Sequence, residues 1–201
     1  PGACLETTAH VRLTVASGTR LAVPVREVEV TRAHVHPQFD PRSLAFDAAL
    51  LRLADDLEGG IDPGPEDVTC GDCGIVAGWG ETHEGFGIAP HLAWARVHVA
   101  ADFTCAEQRR GGVAGRPQLM FAAGGDGARC PEFPGAAVRK GDSGSGFVVT
   151  RAGRRHLCGI VSWSASLTSG GDGPHVLTRT AALAEWIVQE TGCAQARTEF
   201  L

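Results

Sequence analysis

Short β-branched segments, each bounded by glycine, proline or aspartate, run through most of the chain and favour an all-β fold. Four examples are Val11–Val15, Val25–Val30, Ala95–Val99 and Phe147–Val149. The 27 glycines and 11 prolines supply the joints between such segments. Helical spacing is confined to residues 180–189, and a glycine at 192 is expected to end that helix. Many short strands with one terminal helix predict two packed antiparallel β-barrels.

Length and composition fit one chain with two β lobes. A chain of 201 residues with 43% apolar side chains can bury a core. Glycines and prolines break any periodicity between residues 57 and 68, which predicts a first lobe at 1–68 and a second at 69–201. The charge of −5, with no long basic patch and no membrane-length apolar stretch, indicates a soluble chain without a nucleic-acid or membrane partner. We also expect a monomer.

The segment Gly141–Gly146, which reads Gly-Asp-Ser-Gly-Ser-Gly, is the strongest chemical signal in the chain. A serine on a tight glycine-flanked loop can present its hydroxyl to a substrate carbonyl while N–H groups of the loop receive the oxyanion. Ser143 is therefore the candidate nucleophile, and the N–H groups of Gly141 and Ser143 are candidate oxyanion donors. Short runs of these residue types are also common turns, so the motif alone leaves both interpretations open.

Several segments, in a fixed order, resemble the trypsin and chymotrypsin family of serine endopeptidases. The loop with Ser143 is followed by Ile160-Val161-Ser162-Trp163 and preceded by Phe46-Asp47-Ala48-Ala49-Leu50-Leu51. Residues 36–39 resemble the family's His-Pro-x-Phe/Tyr segment, and residues 77–82 resemble its Gly-Trp-Gly segment. The resemblance implies an all-β fold of two antiparallel six-stranded β-barrels, the first incomplete here, with a C-terminal helix.

The resemblance also assigns roles to two aspartates. Asp47 would accept a hydrogen bond from an imidazole and fix the tautomer of that ring. Asp142 would be buried behind the nucleophile and shape the oxyanion loop, so it needs a partner for its charge. Taken alone, Asp47 could be a solvated loop residue and Asp142 an ordinary turn former. The order of the neighbouring segments favours the catalytic interpretation of Asp47.

The general base departs from the family pattern. Family members have the sequence Ala-Ala-His-Cys around the catalytic histidine, whereas this chain has Pro1-Gly2-Ala3-Cys4, so Ala3 occupies the histidine position. His10 is the competing candidate, although it directly abuts the strand at Val11 and no cysteine follows it; other rearrangements stay open. We expect Ala3 at the base position and negligible peptide hydrolysis by this chain. The family's opening strands would precede Pro1, so truncation and a noncatalytic family member are both possible explanations.

Substrate-contacting positions also follow from the resemblance. Ala137 lies six residues before Ser143, where trypsin-like members carry a pocket-floor aspartate, so we expect no preference for lysine or arginine. His175 would lie at the pocket wall, where it could favour an acidic side chain or narrow the pocket; a surface histidine is the alternative. Ser162 should offer backbone groups to the substrate, and Ser164 is also assigned to substrate binding.

The seven cysteines are scattered in a way that suits structural bridges in an oxidising compartment, which predicts a secreted protein. The remaining histidines, His36 included, show no metal-like spacing and are interpreted as surface or packing residues. We therefore expect no metal and no cofactor. The resemblance implies bridges that leave Cys4 free, although spacing alone does not fix connectivity: Cys73–Cys158, Cys105–Cys130 and Cys70–Cys193.

Two function classes remain open at this point. One is a secreted serine endopeptidase, or a fragment of one, that acts on a polypeptide substrate or binds a protein inhibitor through Ser143. The other is a protease-like binding module whose cleft holds ligands without turnover. Asp47 and the Gly141–Ser143 loop favour the first class, because a binding module need not keep them. Ala3 favours the second.

Overall fold

The computed structural model describes residues 12–15, 26–56, 60–64, 66–81, 87–101, 105, 107, 109–110, 113–124, 138–164 and 174–192. Eleven strands, one 3₁₀-helix and one α-helix lie within these residues, and Cys105 and Glu107 also have α-helical backbone. The strands are β1 (Arg12–Val15), β2 (Arg26–Val35), β3 (Ala49–Leu53), β4 (Cys73–Gly78), β5 (Ala93–His98), β6 (Arg109–Arg110), β7 (Val113–Ala114), β8 (Met120–Ala123), β9 (Gly146–Arg151), β10 (Arg154–Ser164) and β11 (His175–Arg179). The 3₁₀-helix Ala181–Leu183 leads directly into α1 (Ala184–Thr191).

The N-terminal sheet has the antiparallel order β1-β2-β3 among the described residues. β2 and β3 pair with His34 opposite Leu50, and residues 36–48 connect the two strands. Within this connection Asp40 forms an isolated antiparallel bridge with Ala45. The connection therefore folds back on itself and delivers the candidate aspartate to the start of β3.

The C-terminal sheet closes on itself. Its six strands have the order β5-β4-β9-β10-β11-β8, and all neighbours are antiparallel. The outer strands β5 and β8 meet through a bridge between Val99 and Ala123, and the N–H of Ala100 donates to the oxygen of Ala122 at 2.8 Å. An antiparallel barrel followed by one short helix confirms the all-β fold class.

The centre of this barrel is built on two phenylalanines. Phe121 and Phe147 are both at most 1% exposed, and their rings meet edge to face with centroids 5.3 Å apart. Burying each such ring stabilises the fold by roughly 1.5–3 kcal/mol. Gly74 on β4 makes the approach possible, because a Cβ there would overlap the ring of Phe147. The strands that carry the candidate site are therefore fixed to a well-packed interior.

A buried arginine fastens the segment before β4 to the barrel. The Nη1 of Arg179, which is 4% exposed, donates to Asp67 Oδ1 at 2.8 Å and to the oxygen of Val68 at 2.9 Å. Its Nε donates to the oxygens of Pro117 and Met120 at 2.7 and 3.0 Å. One side chain thus joins three separate stretches of chain. The division into lobes at residue 68 stays a prediction.

The C-terminal helix ends where the sequence predicts. Gly192 adopts a left-handed φ of 69° and donates its N–H to the oxygen of Val188 at 2.9 Å, which caps α1. The helix contacts the N-terminal sheet at Glu190, whose carboxylate lies 2.8 Å from the Nδ1 of His34. Within the described residues, no helix has the length and apolar character needed to cross a bilayer.

The bridge between Cys73 and Cys158 is wrong. Cys158 is a buried thiol on β10, whereas Cys73 begins β4, and β9 runs between those two strands. Strands separated by a third lie about 10 Å apart at a spacing of about 4.8 Å, beyond the roughly 7 Å between Cα atoms that a bridge permits. The predicted partner of Cys73 therefore lies one strand too far away.

The bridge between Cys70 and Cys193 is also wrong, because Cys70 is an exposed thiol. Cys70 lies in the turn before β4, where the N–H of Gly71 bonds to the oxygen of Val99 at 2.8 Å, and this turn leaves its sulfur in solvent. Cys4, Cys130 and Cys193 lie outside the described residues, so the Cys105–Cys130 bridge stays a prediction.

Candidate active site

Ser143 is exposed and lies in the turn directly before β9. The turn is fastened to β10 by two backbone hydrogen bonds. Gly144 donates its N–H to the oxygen of Val161 at 2.8 Å, and Val161 donates its N–H to the oxygen of Ser145 at 2.9 Å. The residue that carries the candidate nucleophile is therefore held against a central strand of the barrel while its side chain faces solvent.

Two glycines give this turn its shape. Gly141 and Gly144 have φ values of 98° and 86°, a region that residues with a side chain rarely adopt. The turn closes through the N–H of Asp142, which donates to the oxygen of Arg139, and the N–H of Ser145, which donates to the oxygen of Asp142, both at 3.0 Å. The glycines of the sequence motif are thus required by the backbone of the turn itself.

Asp142 has the buried environment that the sequence predicts, and its partners are backbone amides. The residue is 9% exposed. Its Oδ1 accepts the N–H of Gly80 at 2.8 Å, and its Oδ2 accepts the N–H of Arg139 at 2.9 Å. Hydrogen bonds to a charged acceptor are about twice as strong as neutral ones, which offsets much of the cost of burying the carboxylate.

Glycine at position 80 is what lets the carboxylate come so close. A Cβ on Gly80 would lie 2.5 Å from the Oδ2 of Asp142, nearer than real Cβ atoms approach. A Cβ on Gly78 would overlap the Oδ1 of the same carboxylate. The Gly-Trp-Gly segment therefore forms a cradle for Asp142, which we call the glycine cradle (residues 78–80).

Asp47 is attached to two strands of the C-terminal barrel. Its Oδ2 accepts the hydroxyl of Ser162 on β10 at 2.5 Å, a distance typical of a charge-assisted bond. Its backbone oxygen accepts the hydroxyl of Thr178 on β11 at 3.2 Å. Ser162 directly follows Val161, which anchors the turn with Ser143. Asp47 and the candidate nucleophile turn are therefore fastened to consecutive residues of one strand.

The substrate-contacting candidates that are described lie at the ends of β10 and β11. Ser164 pairs with His175 in the register of these strands, and the Ser164 hydroxyl donates to the oxygen of Pro174 at 3.4 Å. His175 is 7% exposed, so the alternative of a surface histidine is wrong. Ala137 lies outside the described residues, and so do both base candidates, Ala3 and His10.

Sequence reasoning missed two contributors to the surroundings of Asp47. The hydroxyl of Thr178 donates to the backbone oxygen of Asp47. The sequence linked the segment that contains Thr178 only to the substrate pocket, through His175. His36 is a packing residue, as expected, but its ring stacks on Phe46, the residue before Asp47, with centroids 4.5 Å apart. Burial lowers the pKa of His36 below its usual value. The aromatic residue at position 46, directly before the aspartate, is the sequence feature that could have indicated this ring contact.

Comparison with protein families identifies relatives of this chain. The Trypsin family model matches residues 2–187. Human serine protease 56 is 30% identical over 195 residues, which cover 92% of this chain and 31% of that protein. A trypsin of Saccharopolyspora erythraea is 30% identical over 81% of this chain and 67% of its own length. The chain thus spans less than a third of the human relative's length.

A solved structure gives the same result at the level of the fold. Neuropsin, a serine protease expressed in the limbic system of mouse brain, superimposes with a TM-score of 0.67 and 25% identity. The match covers 82% of this chain and 72% of that protein. The family match, the relatives and the fold agree with one another. The chain belongs to the trypsin-like serine protease family.

Proposed function

We propose that this chain is a serine-type endopeptidase chain in which Ser143 attacks the peptide bond and forms an acyl-enzyme. The observation that carries this proposal is the 2.5 Å hydrogen bond between Ser162 and Asp47, made next to the Val161 anchor of the nucleophile turn. Family chemistry needs an orienting carboxylate and a serine within the span of one imidazole. Two loops fastened to adjacent residues of β10 support that spacing.

The N–H groups of Gly141 and Ser143 would receive the oxyanion. Such donors lower the barrier only when they are oriented before the substrate arrives, because reorienting them during the reaction would cost free energy. The glycine cradle supports this role, since it fixes the Asp142 carboxylate that lies between the two donors in the chain. Losing one oxyanion donor typically costs about 10²–10³-fold in rate.

The base position is the reason to expect slow chemistry from this chain. With Ala3 in place of a histidine, the Ser143 hydroxyl would lack the group that takes its proton in the family's triad. Removing the histidine from such a triad lowers the rate by about 10⁶-fold, while the oxyanion hole and substrate binding retain about 10³-fold over water. We therefore propose an endopeptidase scaffold whose turnover is limited by the missing base.

Substitution of Ala3 by histidine tests the proposal. If Ala3 occupies the base position, Ala3→His should raise the hydrolysis of a peptide ester by at least about tenfold, because an imidazole then faces Ser143 and Asp47. Ser143→Ala in the same background should remove the gain. His10→Ala is the matched control and should leave the rate unchanged. No gain from Ala3→His, or a loss of activity in His10→Ala alone, would contradict this assignment.

We further propose a secreted, monomeric protein that meets a polypeptide substrate or a protein inhibitor at this face. Ala137 and His175 would line the pocket for the side chain that precedes the cleaved bond. Ser162 would offer backbone groups to the substrate chain, and Ser164 would also contact the substrate. The burial of His175 supports a narrowed pocket, or one in which the imidazole hydrogen-bonds an acidic side chain, over a pocket for lysine or arginine.

A further inference from the structure

Phe46 holds an unfavourable backbone conformation directly before Asp47. Its φ is 55°, in the left-handed region where the Cβ of a bulky residue crowds the following carbonyl. Glycine and asparagine adopt this region readily, whereas an aromatic residue does so only when its surroundings hold it there. The direction in which the chain enters Asp47 therefore depends on the contacts of the Phe46 side chain.

The ring of His36 stacks on that side chain, which also packs against the buried apolar cluster that contains Met120 and Val176. The two rings stack with an interplanar angle of 4° and centroids 4.5 Å apart. Trp186 of α1 meets the imidazole at 4.7 Å, inclined at 64°. His36 and Trp186 are 6% and 8% exposed and Phe46 is half-buried, so the stack is partly shielded from solvent between the connection that carries Asp47 and the C-terminal helix.

His36 also holds the residue on the other side of Asp47. Its backbone N–H donates to the oxygen of Ala48 at 3.0 Å. Its ring is fixed in turn, because Nδ1 accepts the N–H of Gln38 at 3.2 Å, which puts the proton of the neutral imidazole on Nε2. One residue therefore contacts both neighbours of Asp47, the preceding one through its ring and the following one through its backbone.

We propose that His36, stacked on Phe46, is a positioning residue that aims the Asp47 carboxylate at Ser162. The inference rests on the proposed function for the meaning of Asp47, and adds to it the element that holds this carboxylate in place. His36 does not touch the reacting atoms. It acts by keeping Phe46 left-handed, and the 2.5 Å bond from Ser162 to Asp47 follows from that conformation.

The charged groups around the stack are engaged elsewhere. On α1, Glu190 accepts from His34 of β2 at 2.8 Å, and Glu185 accepts from Gln189 at 3.0 Å. In the connection, Asp40 accepts from the Ser43 hydroxyl at 2.5 Å. The stack thus depends on ring contact and on the Gln38 hydrogen bond. Protonation of His36 would remove that bond, because a protonated Nδ1 cannot accept.

A double-mutant cycle between His36 and Ser162 tests the inference. Each variant is unfolded with denaturant, and the cost of Ser162→Ala is read as the change in the folding equilibrium constant. In the wild-type chain we expect a cost of at least about tenfold, as for a hydrogen bond to a charged group. In His36→Ala the same change should cost less than about threefold, because Asp47 no longer points at Ser162.

Two further variants separate positioning from general packing. His36→Phe keeps a stacking ring, so Ser162→Ala should still cost most of its wild-type effect on the folding equilibrium in that background. Phe46→Gly tolerates the left-handed φ but has no ring, so in that background the cost of Ser162→Ala should be lost. His91→Phe, at an exposed histidine before β5, should leave the cost at its wild-type value. If His36→Ala does not fold, the comparison of Phe46→Gly with His36→Phe decides alone.

The inference would be overturned if Ser162→Ala changed the folding equilibrium constant by the same factor, within about twofold, in every background. Residues that do not influence each other show such independent effects. A negligible Ser162→Ala cost in the wild-type chain would overturn it as well. The measurement does not require catalytic turnover, so its outcome can be distinguished from the outcome of the test of the proposed function. A failed Ala3→His gain would contradict the catalytic assignment and leave the coupling intact, whereas additive costs would leave peptide hydrolysis unaffected.

Discussion

Single glycines decide how the candidate nucleophile is presented. Gly141 and Gly144 permit the left-handed backbone of the turn, and Gly80 permits the close approach of the Asp142 carboxylate. The sequence motif predicted the turn, because the residue types in Gly-Asp-Ser-Gly favour a tight turn through local interactions alone. It could not predict the partner of Asp142, because Gly80 lies 62 residues away in the chain.

Gly80→Ala should destabilise the chain strongly. The new Cβ would lie 2.5 Å from Asp142 Oδ2, so either the carboxylate or the turn with Ser143 must shift. Denaturant unfolding should show a loss of about 2–3 kcal/mol in the free energy of unfolding, as for other steric insertions into packed regions. Gly60→Ala is the matched control, since no atom lies within 4 Å of its Cβ position, and equal stability of the two variants would contradict the cradle.

Cys158 should be chemically inert in the folded chain. Burial raises the pKa of its thiol, so little thiolate forms at neutral pH, and the side chain is 2% exposed. Iodoacetamide should modify the exposed Cys70 at least about tenfold faster than Cys158. Mass spectrometry of digested samples measures both rates. A disulfide-linked peptide that contains Cys158, or equal rates at both sites, would show that the thiol assignment is wrong.

Among the elements, β10 organises the candidate site. It binds the nucleophile turn through Val161, receives Asp47 through Ser162, and ends at Ser164 beside β11. The register between β10 and β11 shifts here, because Val161 pairs with Leu177 and Trp163 pairs with Val176, and Ser162 lies between these two pairs. The sequence predicted the Ile-Val-Ser-Trp segment as part of the site. It gave no sign that the connection between β2 and β3 is held by a stack on α1.

That stack should make the stability of the fold depend on pH. Burial lowers the pKa of His36 below its unfolded value of 6.5, so the unfolded chain binds the proton more readily. The contribution is fully present above about pH 6.5 and is lost as the pH falls toward the folded pKa. The free energy of unfolding should therefore fall from pH 7.5 to 5, and fall less in His36→Phe. An identical pH dependence in both chains would contradict the burial of a neutral imidazole.

Across the whole molecule, the local elements were predicted better than the contacts between distant segments. The strands, the terminal helix and its end at Gly192 follow from residue types and spacing, and the structure contains them. Contacts between distant segments did not follow. The bond from Thr178 to Asp47 spans 131 residues, and the bridge predicted for Cys158 failed because β9 intervenes between β10 and β4. Long-range register depends on how the barrel closes, which no short segment encodes.

The most direct test of the account is the site and rate of reaction with a fluorophosphonate probe, located by mass spectrometry. If Ala3 occupies the base position, as we propose, we expect slow labelling on Ser143, with a rate that changes little between pH 5 and pH 8 because no imidazole would then activate the hydroxyl. Ser143→Ala should remove the label although Ser145 remains. Labelling at another serine, or fast labelling of Ser143 that titrates near an imidazole pKa of about 6.5 and disappears in His10→Ala, would contradict the account.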